Sequence, residues 1–197
     1  MSGAAMGDAR PIVALIGLRG AGKTTLGRAL ARELDVPFVD LDDELWKHAG
    51  DAKHAGDAKR AGAVERSAGA LLRELGEPAF RELEARALAH VLAQPGPFVL
   101  ATGGGVVERA ENRKRLAARC RCAWLDAPRA VLAERSEKSG VERPRLAGAN
   151  ALEEFALLAA RRAPLYRELA GEPLSTDAPL AAALARLRAW AGRIEGA

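Results

Sequence analysis

An α/β fold, with a parallel sheet covered by helices on both faces, is what this sequence predicts, and three observations predict it. Short β-branched apolar runs alternate with longer stretches whose apolar residues recur at helical intervals. One run, PIVALI, passes almost directly into the glycine-rich segment GLRGAGKT at residues 17–24. The 197 residues also suit one compact domain, long enough to bury a core without disulfide or metal staples.

The elements follow in order. PIVALIG reads as the first strand and VPFVDLD as the second, and between them TLGRALARELD spaces Leu26, Ala29, Leu30 and Leu34 at helical intervals, which makes a βαβ unit. PFVLATGGG is a third, buried strand ending in glycines, and RCRCAWLDAP a fourth that is stopped by Pro128. Helices are expected over roughly 67–93, 109–118, 128–138 and 150–162. PLSTD offers a last strand, followed by a helix from about Pro179 to Ile194 with Leu180, Leu184, Leu187 and Trp190 on one face. Residues 49–66, AGDAKHAGDAKRAGAVER, break this rhythm with a repeated six-residue unit that fits neither the helical nor the strand period. No large apolar residue precedes Val64 there, so an exposed insertion is expected.

Composition narrows the class. With 49% apolar, 28% charged and only 4% aromatic residues, Ala, Leu and Val must do most of the packing, and a disordered chain is excluded. The net charge of +4 is scattered over the expected helices, which favours anionic small molecules over nucleic acid as partners. MSGAAMGDA has neither the basic region nor the apolar core of a leader, and no run approaches the roughly 18 apolar residues of a membrane span. A cytoplasmic protein with no membrane partner is the expectation. Cys120 and Cys122 stand two apart in a strand, where they share a face but do not easily bridge, and His48, His54 and His90 are not arranged to complete a zinc site with them.

GLRGAGKT fits G-x-x-x-x-G-K-[ST] between a strand and a helix, the context that makes this pattern a P-loop. Gly17, Gly20 and Gly22 let amide hydrogens point inward with no side chain in the way, so the loop and the following helix N-terminus can enclose a triphosphate. Gly20, Ala21, Gly22, Lys23, Thr24 and Thr25 are therefore the candidate nucleotide contacts, with Lys23 reaching the β and γ phosphates and the Thr24 hydroxyl placed to ligate Mg²⁺. Arg19 either helps neutralise phosphate or points to solvent. The second strand then ends with Asp40 and Asp42 two apart, on one face if the strand stays extended, at the edge where open α/β sheets bind ligands. One carboxylate can serve hydrated Mg²⁺ and the other can orient an acceptor hydroxyl toward the γ phosphate. The same two carboxylates could instead merely cap the helix that follows. Orientation can supply about 7–11 kcal/mol of barrier reduction, against about 10²- to 10⁴-fold from general-base help, so positioning is the larger role.

Beyond these two motifs, GEPAFRELE, ATGGG, RPRLAG and RRAPLYR follow in order. With them the chain resembles the shikimate kinase family, in the nucleoside monophosphate kinase-like group of P-loop folds, from about Ile12 to Asp177. The resemblance implies a three-layer α/β/α P-loop kinase fold with a mobile lid at 136–148, a small helical substrate-binding subdomain, ATP and Mg²⁺ as cofactors, and a monomer acting on shikimate. It implies that Asp42 contacts the shikimate hydroxyls and is the base candidate, with Asp40 serving Mg²⁺ through water. It also implies that Arg81 and Arg162 bind the substrate carboxylate, with Glu84 holding Arg81. Gly103, Gly104 and Gly105 would line the ring, and Arg143 would swing onto the ATP phosphates. Arg135 is the candidate for the adenine side, at a spacing from Arg143 that departs from the pattern, and Arg145 stands where the family usually has an apolar residue. A ligand sensor of the same fold, or a kinase for another hydroxy acid such as gluconate, are the alternatives. Only about ten residues precede the first strand, too few for a DNA-reading domain of the kind such sensors carry.

Overall fold

The computed structural model describes residues 12–49, 67–138 and 150–192. Five strands form one sheet in the order β2-β3-β1-β4-β5: β1 Ile12–Ile16, β2 Phe38–Asp40, β3 Val99–Ala101, β4 Cys120–Asp126 and β5 Leu174–Ser175. Every pairing is parallel. All five residues of β1 are buried, as a central strand covered on both faces requires. Among the described residues seven α-helices flank the sheet: α1 Lys23–Leu34, α2 Leu41–Ala49, α3 Ala68–Ala93, α4 Ala110–Arg119, α5 Arg129–Lys138, α6 Ala151–Ala170 and α7 Leu180–Gly192. Helix α1 packs against α7, α2 against α3, and α5 against α6.

The topology decides where a ligand can sit. Strand β3 inserts between β1 and β2, while β4 lies on the other side of β1, so the direction of strand progression reverses at β1. The segments leaving β1, β2 and β3 therefore open side by side on the C-terminal edge of the sheet. At that edge Thr102 ties two of them together: its backbone N–H and its side-chain hydroxyl both donate to the carbonyl of Leu15, at 3.2 and 3.0 Å.

Several expectations shift in detail. The extended backbone of β2 ends at Asp40, and α2 begins at Leu41. Asp40 and Asp42 thus do not share a strand face; Asp40 Oδ1 accepts from the Asp42 backbone N–H at 3.1 Å, the interaction by which an acidic side chain starts a helix. Helix α6 runs on through Pro164 to Ala170, eight residues past the expected end, and stops at Gly171, whose φ is 70°. Helix α3 is broken at Gly76 (φ 73°, ψ 163°), and Pro78 lies in the opening turn of its second half, where a missing N–H costs nothing. In α7 the buried stripe is Ala183, Leu187 and Ala191, flanked by Leu184 and Trp190, while Leu180 is exposed.

Residues 136–138 of the expected lid belong to α5, and the rest of it, with Arg143 and Arg145, lies outside the described residues. The same holds for the six-residue repeat beyond Ala49. Cys120 and Cys122 are both free thiols, and burial pushes the Cys122 thiol up to about 12, which keeps it a neutral packing group. No helix among the described residues is long and apolar enough to cross a membrane.

Gly17, which leaves β1 with φ 138°, passes so close to β4 that a Cβ there would stand 2.2 Å from the Leu125 carbonyl oxygen. A backbone atom cannot yield as a side-chain tip can. Gly17→Ala is expected to lower stability by about 1–3 kcal/mol, measured as an earlier urea midpoint with an unchanged slope.

Candidate active site

The loop after β1 turns through three positive-φ glycines, Gly17, Gly20 and Gly22, and hands over to α1 at Gly22, which offers no side-chain cap. The first N–H groups of α1 are thereby left to an anionic ligand. Lys23 folds back over the loop, its Nζ donating to the carbonyls of Gly17 and Leu18 at 2.9 and 2.8 Å. The Thr24 hydroxyl donates to Asp40 Oδ2 at 2.8 Å. Burial first, then the neighbouring Asp42 carboxylate, push the Asp40 carboxyl up, an arrangement that a divalent cation would relieve. These are hard oxygen donors of the kind Mg²⁺ prefers. Among the described residues no group of three or more His, Cys, Asp and Glu side chains is arranged to hold a metal by itself.

Two clefts meet here. One, of about 1060 Å³ and open to solvent, is lined by Gly20, Gly22, Lys23, Thr24, Thr25, Asp40, Thr102, Arg135 and Ser136. Arg135 reaches across to β5, its two terminal nitrogens donating to the hydroxyl and carbonyl of Thr176 at 3.3 and 3.0 Å. The second, of about 550 Å³, is walled by Arg81, Glu84, Gly105 and Arg162, with Leu72, Phe80 and Leu158 supplying apolar surface. Arg19, Asp42, Gly103 and Gly104 line both, so they mark the passage between them.

Each arginine of the second cleft is backed by a carboxylate. Arg81 Nη1 donates to buried Glu84 at 3.0 Å, and its Nε is buried with no hydrogen-bond partner among the described residues. Burial acts to lower the Arg81 value, but Glu84, Glu108 and Glu77 together hold it above the ordinary one, so it stays cationic. Burial pushes the Glu84 carboxyl up against the pull of Arg81 and Arg162. Across the cleft, buried Arg162 donates through Nε to Glu108 at 2.6 Å, and Arg161 pairs with the same carboxylate. Gly105 makes room for this constellation: a Cβ on it would lie 2.4 Å from both terminal nitrogens of Arg81. The backbone of the glycine run is fixed from behind, where the buried Tyr166 hydroxyl donates to the Gly104 carbonyl at 2.5 Å.

A pair of inward arginines beside a phosphate-binding loop suits a donor with a triphosphate and an acceptor with an acid group. Residues 19–186 match the family model for shikimate kinase. The chain belongs to the shikimate kinase family. It is 39% identical over 171 residues to the shikimate kinase of Nitrobacter winogradskyi, covering 85% of this chain and 70% of that one. It is 38% identical over 169 residues to that of Corynebacterium glutamicum, covering 85% and 88%. The structure of shikimate kinase from Acinetobacter baumannii in complex with shikimate superposes with a TM-score of 0.75 at 31% identity, over 93% of this chain and 94% of that one. As a shikimate kinase family member, the chain is an ATP-dependent enzyme that transfers phosphate to a hydroxyl group.

Of the residues singled out in the sequence of this family member, Gly20, Gly22, Lys23, Thr24, Thr25, Asp40 and Arg135 line the first cleft, Arg81, Gly105 and Arg162 the second, and Asp42, Gly103 and Gly104 both. Ala21 is fully buried beneath the loop and lines neither. Arg19 lines both clefts and pairs with Glu154 of α6. Glu108 and Tyr166 were not legible: Glu108 follows ATGGG by three residues but acts on Arg162, 54 positions away, and no local pattern marks such a pairing.

Glu108 also sets an acid limit. Burial acts upward on its carboxyl, but Arg162, Arg81 and Arg161 outweigh it and hold the folded value below the ordinary one. The stability this contributes is complete above the usual glutamate range and is lost as pH falls through the folded value. Glu108→Gln is therefore expected to be less stable than the wild type at about pH 7, with the difference in urea midpoint shrinking as pH is lowered toward about 3.

Proposed function

We propose that this enzyme transfers the γ-phosphoryl group of ATP to the 3-hydroxyl of shikimate, giving shikimate 3-phosphate and ADP in aromatic amino acid biosynthesis. The observation that carries the reading is that Arg81 and Arg162 line one cleft with Asp42, and that this cleft runs into the one lined by Lys23. Two guanidinium groups from distant segments fit a carboxylate in one orientation, at about 1.5–3 kcal/mol for each charge-assisted contact. The apolar side chains of Leu72, Phe80 and Leu158 suit the carbon face of a ring.

In this reading the substrate carboxylate fixes the ring, and Asp42, at the passage, accepts a hydrogen bond from the acceptor hydroxyl and aligns it with the γ phosphorus. As the oxygen–phosphorus bond forms, the bond between the γ phosphorus and the β–γ bridging oxygen breaks, ADP leaves with that oxygen, and the hydroxyl proton passes to Asp42. Lys23 exchanges its loop carbonyls for phosphate oxygens, and the N–H groups from Gly20 to Thr25 share the negative charge. Arg135 stands on the nucleotide side, and Arg143 is assigned to the phosphates. Thr24 directly, and Asp40 through water, would hold Mg²⁺, which when bound neutralises the phosphate oxygens. The enzyme is expected to work as a monomer. A sensor role is not favoured, because binding an acid without transfer would not need Asp42 at the passage to the Lys23 cleft.

ADP release by the purified protein with ATP and Mg²⁺ should depend on shikimate and not on gluconate; release unaffected by shikimate overturns the assignment. Asp42→Asn should cut turnover by about 10²- to 10⁴-fold while ATP still binds, as titrated by the quench of a fluorescent nucleotide analogue. Near-normal turnover would remove Asp42 from the mechanism.

A further inference from the structure

Arg19, a P-loop side chain, leaves its own loop for another element through an ion pair. Its Nη2 donates to Glu154, a fully buried carboxylate in the first turn of α6, and its guanidinium carbon stands 4.8 Å from the centre of the buried Phe155 ring. Its Nε is also buried, with no hydrogen-bond partner among the described residues. A guanidinium held both by an ion pair to a buried carboxylate and by stacking on a buried ring is fixed in place at two points.

Helix α6 has a second attachment to the reaction. Leu158 and Arg162, one and two turns beyond Glu154, line the acceptor cleft, and Arg19 itself lines both clefts. One rigid rod thus runs from the loop that holds the donor to the guanidinium that holds the acceptor.

We propose that Arg19 is a positioning residue: pinned between Glu154 and Phe155, it fixes helix α6, and with it Arg162, relative to the P-loop, so that the acceptor hydroxyl and the donor phosphate stay in line. The inference rests on the two-substrate reading above and deepens it. Loss of such registry acts on alignment more than on binding, so it belongs to kcat.

The test is steady-state kinetics of the full chain, after wild-type ADP release has been shown to need shikimate; if it does not, the earlier assignment fails and not this one. Arg19→Met alone would take the Arg19 partner from the buried Glu154 carboxylate, so the informative variant is Arg19→Met with Glu154→Gln, which removes both charges at similar volume. Its kcat should fall by about tenfold or more, with KM for ATP and for shikimate each within about threefold of wild type. Arg19→Lys, which keeps the charge but loses the planar fork and the stacking on Phe155, should fall between the two. Unchanged kcat in either variant, with only a lower Tm, would reduce the contact to a structural one. A rise in KM for ATP at unchanged kcat would make Arg19 a phosphate ligand and overturn the proposal.

Discussion

The site depends on the pairing of β1 with β3. That contact brings the end of one strand, where the chain must turn sharply at Gly17, alongside the end of the other, where the chain runs into Gly103, Gly104 and Gly105. Thr102 secures the junction with two hydrogen bonds to one carbonyl, that of Leu15. Donor and acceptor surfaces are consequently two sides of a single strand junction, and their separation is set by the sheet. Nothing in this arrangement requires a large closure to bring Asp42 beside Lys23, because both already line the same cleft.

The electrostatics follow a common scheme on both sides of the acceptor cleft. Arg81 and Arg162 come from helices α3 and α6, and each is oriented by a carboxylate, Glu84 and Glu108, that also offsets part of its desolvation. Leaving either arginine unbacked would let it swing, whereas pairing it too fully would leave no donor for a ligand. Among the described residues the buried Nε of Arg81 has no hydrogen-bond partner. Glu84 and Glu108 differ in their response to burial, since Glu84 is pushed up and Glu108 held down. The difference reflects how many cations surround each: Arg161, Arg162 and Arg81 all act on Glu108, while Glu84 is buried more deeply and also faces Asp42.

Much of this was written locally and could be read locally. The P-loop is a contiguous pattern whose chemistry lies in consecutive residues, and the strands are short apolar runs with glycine or proline punctuation. Arg81 and Arg162, proposed to hold the acceptor, lie 81 positions apart in an arginine-rich chain, and only their motif neighbours distinguished them from solvated helix faces. What stayed hidden depends on tertiary geometry. The strand-to-helix change between Asp40 and Leu41 is made by a side chain capping the backbone two residues on, which alternation along VPFVDLD does not reveal. The extension of α6 beyond Arg162 runs through Pro164, a residue that ordinarily argues for a boundary. The partners Glu108, Glu154 and Tyr166 act over separations of 54 to 135 residues, and no window of sequence contains both members of such a pair.

The break at Gly76 divides α3 into two segments that both face the acceptor: Ala68 and Leu72 from the first, Phe80, Arg81 and Glu84 from the second. The angle between them is set by backbone torsion at a residue whose missing side chain would touch nothing. The joint separates the apolar wall of Ala68 and Leu72 from the charged pair Arg81 and Glu84, which share the second segment. A lineage, or a protein engineer, can resize the accepted molecule by turning this one joint while the phosphate chemistry is left as it stands.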